Sequence, residues 1–281
     1  MVNLSRRGVP VILLLIPLTV GCAQHTPRPA GSQEPPTAIF VAADYAFEGP
    51  DSLPAGSTTV RIHNHGREPH HIQLLKLTEG KTVTDLTAAL QGPLVSIPGW
   101  AKHMGGPNGV SSGGIAEARI YLEAGTYALI CLIPSKSGTP HLALGMTKEL
   151  RVTEQAAPDQ HPMNHYHLAM RDYEFVVVQS ISKGRHSFYV KNRGTQVHQV
   201  SVVRLDPSAD VSDILAAFEP NATVAMPGRL IGGITGLEPG REGSFTVDLS
   251  KGRYAFICLF PNPGARSSHA RKGMVMNFTV K

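Results

Sequence analysis

Short runs in which apolar and polar residues alternate recur along most of the chain. Val60 and Ile62 alternate with Thr59, Arg61 and His63, and Phe188 and Val190 alternate with Tyr189 and Lys191. A period of two is that of a strand with one buried face. The runs 72–75 and 200–203 are rich in β-branched and aliphatic residues and carry no helical period. Tyr127, Leu129 and Cys131 fall on one face of a strand, as do Tyr254, Phe256 and Cys258. Gly and Pro punctuate these runs at short intervals, which predicts an all-β fold of antiparallel Greek-key sandwiches. Thr84 and Ser212, each followed by an Asp and an apolar residue, predict one short helix in each half of the chain.

The pattern occurs twice. Asp44-Tyr45-Ala46-Phe47 returns as Asp172-Tyr173-Glu174-Phe175, and Asn64-His65-Gly66 as Asn192-Arg193-Gly194. His70 matches His198, His141 matches His269 and Met146 matches Met274, all at an offset of 128 residues. The segment ending in Cys131 returns ending in Cys258 at an offset of 127. Such self-similarity marks a duplication. It predicts two tandem domains, 38–154 and 163–281, joined by a Pro- and Gln-containing linker over 155–162.

The N-terminus carries a different signal. Arg6 and Arg7 precede an apolar stretch over 9–18 that is too short to span a bilayer as a mature helix. It ends in Leu18-Thr19-Val20-Gly21-Cys22, which resembles the lipobox of bacterial lipoproteins. Residues 1–21 are accordingly expected to be a signal peptide, Cys22 the lipidated residue, and 22–37 a flexible tether. The expected location is the bacterial cell envelope, with the membrane reached through the lipid anchor. Loss of residues 1–21 lowers the formal net charge from +5 to +3, because only Arg6 and Arg7 are charged there. With its basic residues scattered, the chain is not expected to bind nucleic acid.

The chemistry lies in the last third of each repeat. Cys131 is followed by His141 and Met146, and Cys258 by His269 and Met274; upstream, just past the Asn-x-Gly turn, stand His70 and His198. A thiolate, two imidazoles and a thioether form the donor set of a mononuclear blue-copper site. Thiolate and thioether suit the reduced ion, imidazole suits both states, and a weak axial sulfur keeps the oxidised ion from square-planar geometry. One Cys per repeat leaves no pair for a disulfide within a domain, and a Cys131–Cys258 bridge is not expected. His71 aligns with Gln199, so the ligand role goes to His70. His63 and His65 align with Lys191 and Arg193 and mark a solvated surface. His161, Met163, His165 and His167 cluster near the join, and a copper-trapping role competes there with an ordinary polar linker. Trp100 is expected to be a packing residue.

The segments GTYALICLIPSKSGTPHLALGM and GRYAFICLFPNPGARSSHARKGM resemble plastocyanin-type cupredoxins, and NHGREPHH and NRGTQVHQ resemble the first-histidine loop of that family. The resemblance extends over nearly all of 38–281. It implies one copper ion per domain, held by His70, Cys131, His141 and Met146 in the first and by His198, Cys258, His269 and Met274 in the second. The Cys-to-His loops are longer than in plastocyanin-like proteins and nearer those of copper nitrite reductases. Three functions compete: electron transfer; copper storage, delivery or resistance; and a copper enzyme such as a nitrite reductase or a multicopper oxidase, with a sandwich that has lost its metal as the alternative to copper binding. The partner is then a redox protein or a copper donor or acceptor; Arg266, Arg271 and Lys272 near the second site suggest an acidic one. Copper enzymes of this kind place a His beside the ligand Cys, whereas Ile130, Leu132, Ile257 and Leu259 flank Cys131 and Cys258. On that ground no catalytic residue and no enzyme activity are expected.

Overall fold

The computed structural model describes residues 35–90, 96–156, 165–218, 226–262 and 267–281. Cys22, His161, Met163 and Arg266 lie outside them. The first repeat holds β1 (Thr37–Ala43), β2 (Ala46–Glu48), β3 (Ser52–Asn64), β4 (Gln73–Leu77), α1 (Val83–Ala89), β5 (Ala101–Gly105), β6 (Ile115–Leu122), β7 (Gly125–Ile130) and β8 (Thr147–Ala156). The second holds β9 (His165–Arg171), β10 (Glu174–Val177), β11 (Gly184–Asn192), β12 (His198–Leu205), α2 (Val211–Ala217), β13 (Gly228–Leu237), β14 (Glu242–Leu249), β15 (Gly252–Ile257) and β16 (Val275–Val280). The fold is all-β, as the two-residue period predicts.

Each repeat is a two-layer sandwich. In the first, β2, β1, β3 and β6 form one layer and β8, β7, β4 and β5 the other. The start of β3 also pairs in parallel with β8, so this strand passes from one layer to the other. The second repeat has the matching layers β10, β9, β11, β14 and β16, β15, β12, β13. Alternate residues of the central strands point to opposite sides. Tyr127, Leu129 and Cys131 enter the core between the layers, while Ala128 and Ile130 face outward beneath α1, against Leu86 and Leu142. The second repeat does the same with Tyr254, Phe256 and Cys258 inside and Ala255 and Ile257 beneath Ile214 of α2.

The two short helices are present, but each begins two residues earlier than the sequence suggests. The caps are Thr82 and Asp210, in place of Thr84 and Ser212. The reason is reciprocity. Asp85 N–H donates to Thr82 Oγ1 (3.1 Å) and Thr82 N–H donates to Asp85 Oδ2 (2.9 Å), and such a box needs its acidic partner three residues past the cap.

The sandwiches are fused edge to edge. β6 pairs with β14 (Ala118 opposite Phe245), and β5 with β13 (Met104 opposite Leu237). The second junction continues as single bridges, Pro107 to Ile234 and Val110 to Ile231. Asn108, buried in this seam, donates through Nδ2 to Val200 O (2.9 Å) and Ile234 O (3.2 Å). Both layers therefore run through both repeats, and 34–281 make one compact unit.

Candidate metal centre

Backbone hydrogen bonds fold the end of each repeat over its cysteine. In the first, His141 N–H donates to Ile133 O (3.0 Å), Leu142 N–H to Cys131 O (2.8 Å) and Met146 N–H to His141 O (3.0 Å). A 3₁₀ turn over His141–Leu144 closes at Gly145, whose φ of 101° is one that glycine adopts without strain. The second repeat has the same arrangement, with His269, Ala270 and Met274 bonded to Phe260, Cys258 and His269 and Gly273 at φ 103°.

The upstream histidine is delivered by the Asn-x-Gly turn. Asn64 Nδ2 donates to Glu68 O (2.8 Å) and Val110 O (2.9 Å), and Asn64 Oδ1 accepts Gly66 N–H (2.9 Å). Asn192 does the same with Gln196 O, Leu237 O and Gly194 N–H. The glycine is required for space: a Cβ at Gly66 would collide with Asp44 Oδ1 and His70 Nε2, and one at Gly194 with Asp172 Oδ1 and His198 Nε2.

His70, Cys131 and His141 come together, fully buried, as do His198, Cys258 and His269; within each group the donor atoms lie within 4.8 Å of one another. In the first group the two Nδ1 atoms are 3.0 Å apart and Cys131 Sγ is 3.4 Å from His141 Nδ1. In the second the corresponding distances are 2.9 and 3.5 Å. Met146 and Met274 are buried, and their carbonyls accept the N–H of Cys131 and Cys258. Both cysteines are free thiols.

Carboxylates orient the imidazoles. Asp44 Oδ1 lies 2.8 Å from His70 Nε2, Glu68 Oε2 2.8 Å from His141 Nε2, and Asp172 Oδ1 2.8 Å from His198 Nε2. An Nε2 that donates to a carboxylate leaves its Nδ1 as a lone pair. In the first site two such lone pairs and a sulfur converge with only the Cys131 thiol proton among them, an arrangement that a cation relieves. Carboxylate-held imidazoles beside a thiolate fit a copper ion. Burial pushes the Cys131 and Cys258 thiols up to about 12 and holds the imidazoles of His70, His141 and His198 below their ordinary value. The imidazoles are therefore neutral at pH 7, and the thiol proton is released only when a metal takes its place.

Asp172 gives the metal-free protein a pH signature. Burial alone would raise its pKa, but hydrogen bonds from Thr195 and His198 outweigh it and hold the carboxyl at about 2. Because the folded pKa is depressed, the stabilisation is present above about pH 4 and is lost as pH falls toward 2. Asp172→Asn should cost roughly 1–2 kcal/mol at pH 7 and only about 0.4 kcal/mol near pH 2, where about half of the carboxyl is protonated. Urea titrations at the two pH values check this; an equal loss at both would show that the carboxylate charge is not responsible.

The remaining histidines stand apart from the donor groups. His71 Nε2 accepts Leu132 N–H (2.9 Å), and burial lowers its pKa to about 3. His103 is buried and bonds Glu238 of the other repeat (3.2 Å). His65 and His167 are exposed and His63 is half-buried. Trp100 packs beneath Lys81, whose Nζ is 5.3 Å from the ring centre. Sequence reasoning passed over the carboxylates. Asp44 and Asp172 open the repeated Asp-Tyr-x-Phe motif, and Glu68 sits two residues before His70, so all three were visible as residues without a role.

No protein-family model and no curated protein matches the chain. Solved structures do align with it. Auracyanin A, a blue copper protein from the green thermophilic photosynthetic bacterium Chloroflexus aurantiacus, is 24% identical over 42% of this chain and 99% of its own, at a TM-score of 0.31. The blue copper oxidase of Nitrosomonas europaea is 13% identical over 88% of this chain and 86% of its own, at 0.27. The Cu-containing nitrite reductase of Thermus scotoductus SA-01 is 11% identical over 87% and 61%, at 0.26. The expectation that the chain is not an enzyme is corrected here. The finding against it is that structures aligned over most of the chain include a blue copper oxidase and a Cu-containing nitrite reductase. Fold and sites together make each half of the chain a two-layer β-sandwich with a buried His–Cys–His group suited to copper.

Proposed function

We propose that the protein passes single electrons through two mononuclear copper centres, one per repeat, in the bacterial cell envelope, where Cys22 anchors it to the membrane. The observation that supports this most is the convergence of two imidazole nitrogens and one thiol sulfur within 4.8 Å, buried, in both repeats. His70, Cys131 and His141 would hold the first ion, with Met146 as a weak fourth donor; His198, Cys258, His269 and Met274 would hold the second. Copper would supply the one-electron chemistry. The protein's share is to fix the imidazoles through Asp44, Glu68 and Asp172, to exclude water, and to keep the donor atoms in place in both oxidation states, which keeps rearrangement small. Arg271 and Lys272, exposed beside His269, would favour an acidic redox partner.

Copper loading of the purified mature protein tests this reading. The expected result is one ion per repeat and an intense visible thiolate-to-copper band in the oxidised form. Protein that stays colourless and takes up no copper in either oxidation state rules the reading out. Colourless protein that binds Cu(I) tightly points to storage or delivery.

A further inference from the structure

The two sites differ beside the second histidine. In the first, His141 Nε2 meets the Glu68 carboxylate at 2.8 Å, and Tyr45 OH also donates to Glu68 (3.3 Å). In the second, the position of Glu68 is taken by Gln196, which turns its amide toward Tyr173 OH (2.9 Å). His269 Nε2 is buried with no hydrogen-bond partner among the described residues. A cation stands close by: Lys272 Nζ is 3.3 Å from Tyr173 OH, and the Tyr173 ring packs edge-on against His269 at 5.3 Å. The first site thus has two carboxylates behind its two imidazoles. The second has one carboxylate and a nearby ammonium.

These differences act in one direction. A carboxylate accepting the far N–H of a ligand imidazole makes that imidazole a stronger donor. Added negative charge favours the more highly charged state of an ion, and added positive charge disfavours it. A buried N–H without an acceptor costs most when the ring is polarised by a divalent ion. We infer that the first site holds the oxidised ion more strongly than the second and has the lower reduction potential, with Glu68 and Gln196 as the positioning residues that set the order. The inference rests on the copper reading given above. When the first site is reduced and the second oxidised, one electron leaves Cu(I) at the first and converts Cu(II) to Cu(I) at the second, with no proton or further reactant. The chain is then a directional pair, and an added electron comes to rest at the second site.

Spectroelectrochemical titration of the copper-loaded protein tests this, with Cys258→Ser and Cys131→Ser isolating the first and second sites in turn. At one applied potential the reduced-to-oxidised ratio should be at least tenfold greater at the second site, which for a one-electron couple is about 59 mV. Glu68→Gln should raise the first potential and Gln196→Glu should lower the second, closing the gap from both sides. Equal potentials, a reversed order, or exchanges that move neither value would overturn the inference. Should Glu68→Gln fold poorly, the Gln196→Glu shift and the two single-site potentials still decide. A metal count made on each sample separates this failure from the other one: protein that binds no copper overturns the functional reading and the inference with it.

Discussion

Loaded with copper and oxidised, the Cys131→Ser protein should retain about half of the visible thiolate-to-metal absorption, Cys258→Ser the other half, and the double variant none. The argument is electronic. The band requires a sulfur ligand, and each group has one, placed 3.4 or 3.5 Å from an imidazole Nδ1. Serine differs by one atom and stays within the buried volume of the thiol, so the imidazoles should keep their positions while the transition disappears. Copper affinity should fall as well, since a hydroxyl is a poor replacement for a thiolate toward the reduced ion. The absorption spectrum and a metal count on each variant are sufficient. A single-cysteine variant that keeps the whole band would assign the band to the remaining cysteine alone and remove the other site from the account.

The largest loss of stability is expected from Phe245→Ala. Phe245 is 1% exposed, stacks on Phe188 with centroids 5.0 Å apart, and meets the edge of Phe256 at 6.3 Å. Phe188 also meets Phe256 edge to face at 5.4 Å. Truncation removes a ring from the middle of this cluster and leaves a cavity that β-strands cannot collapse to fill, at a cost of about 3–5 kcal/mol. That is a large share of the ~5–15 kcal/mol by which domains are stable. Phe245 stands opposite Ala118 in the seam between the repeats. The urea midpoint should therefore fall in one transition with its slope unchanged. A loss below about 1 kcal/mol would mean that the cluster repacks.

Much of this architecture is legible because it is local. Alternation at Val60 and Ile62 tells which face is buried, and the Cys–His spacing, doubled, picks out residues that the fold brings together. The rest depends on neighbours far apart in sequence. Periodicity says that β6 has a buried face but is silent on β14 lying beside it, so the fusion of the sandwiches has no sequence signature. The repeated Asp44 and Asp172 read as markers of duplication, because their task, holding a histidine 26 residues away, exists only once the Asn-x-Gly turn has formed. The exchange of Glu68 for Gln196 looks conservative on paper; it gains meaning from the buried Nε2 of His269, which is left without an acceptor among the described residues.

The seam also bears on how such a chain could arise and persist. A strand at the border of a sheet exposes unpaired N–H and C=O groups and invites pairing with any other chain. A solitary copy of either repeat would gain two further borders of this kind, β5 and β6 in the first, β13 and β14 in the second. In the duplicated chain each border covers its counterpart, so the second copy shields the first from self-association and is shielded in return. Once the seam carries residues such as Asn108, whose hydrogen bonds lie across it, deletion of one copy exposes the other. Mutual dependence of that sort lets the metal sites drift apart in character while the two sandwiches stay bound to a common fate.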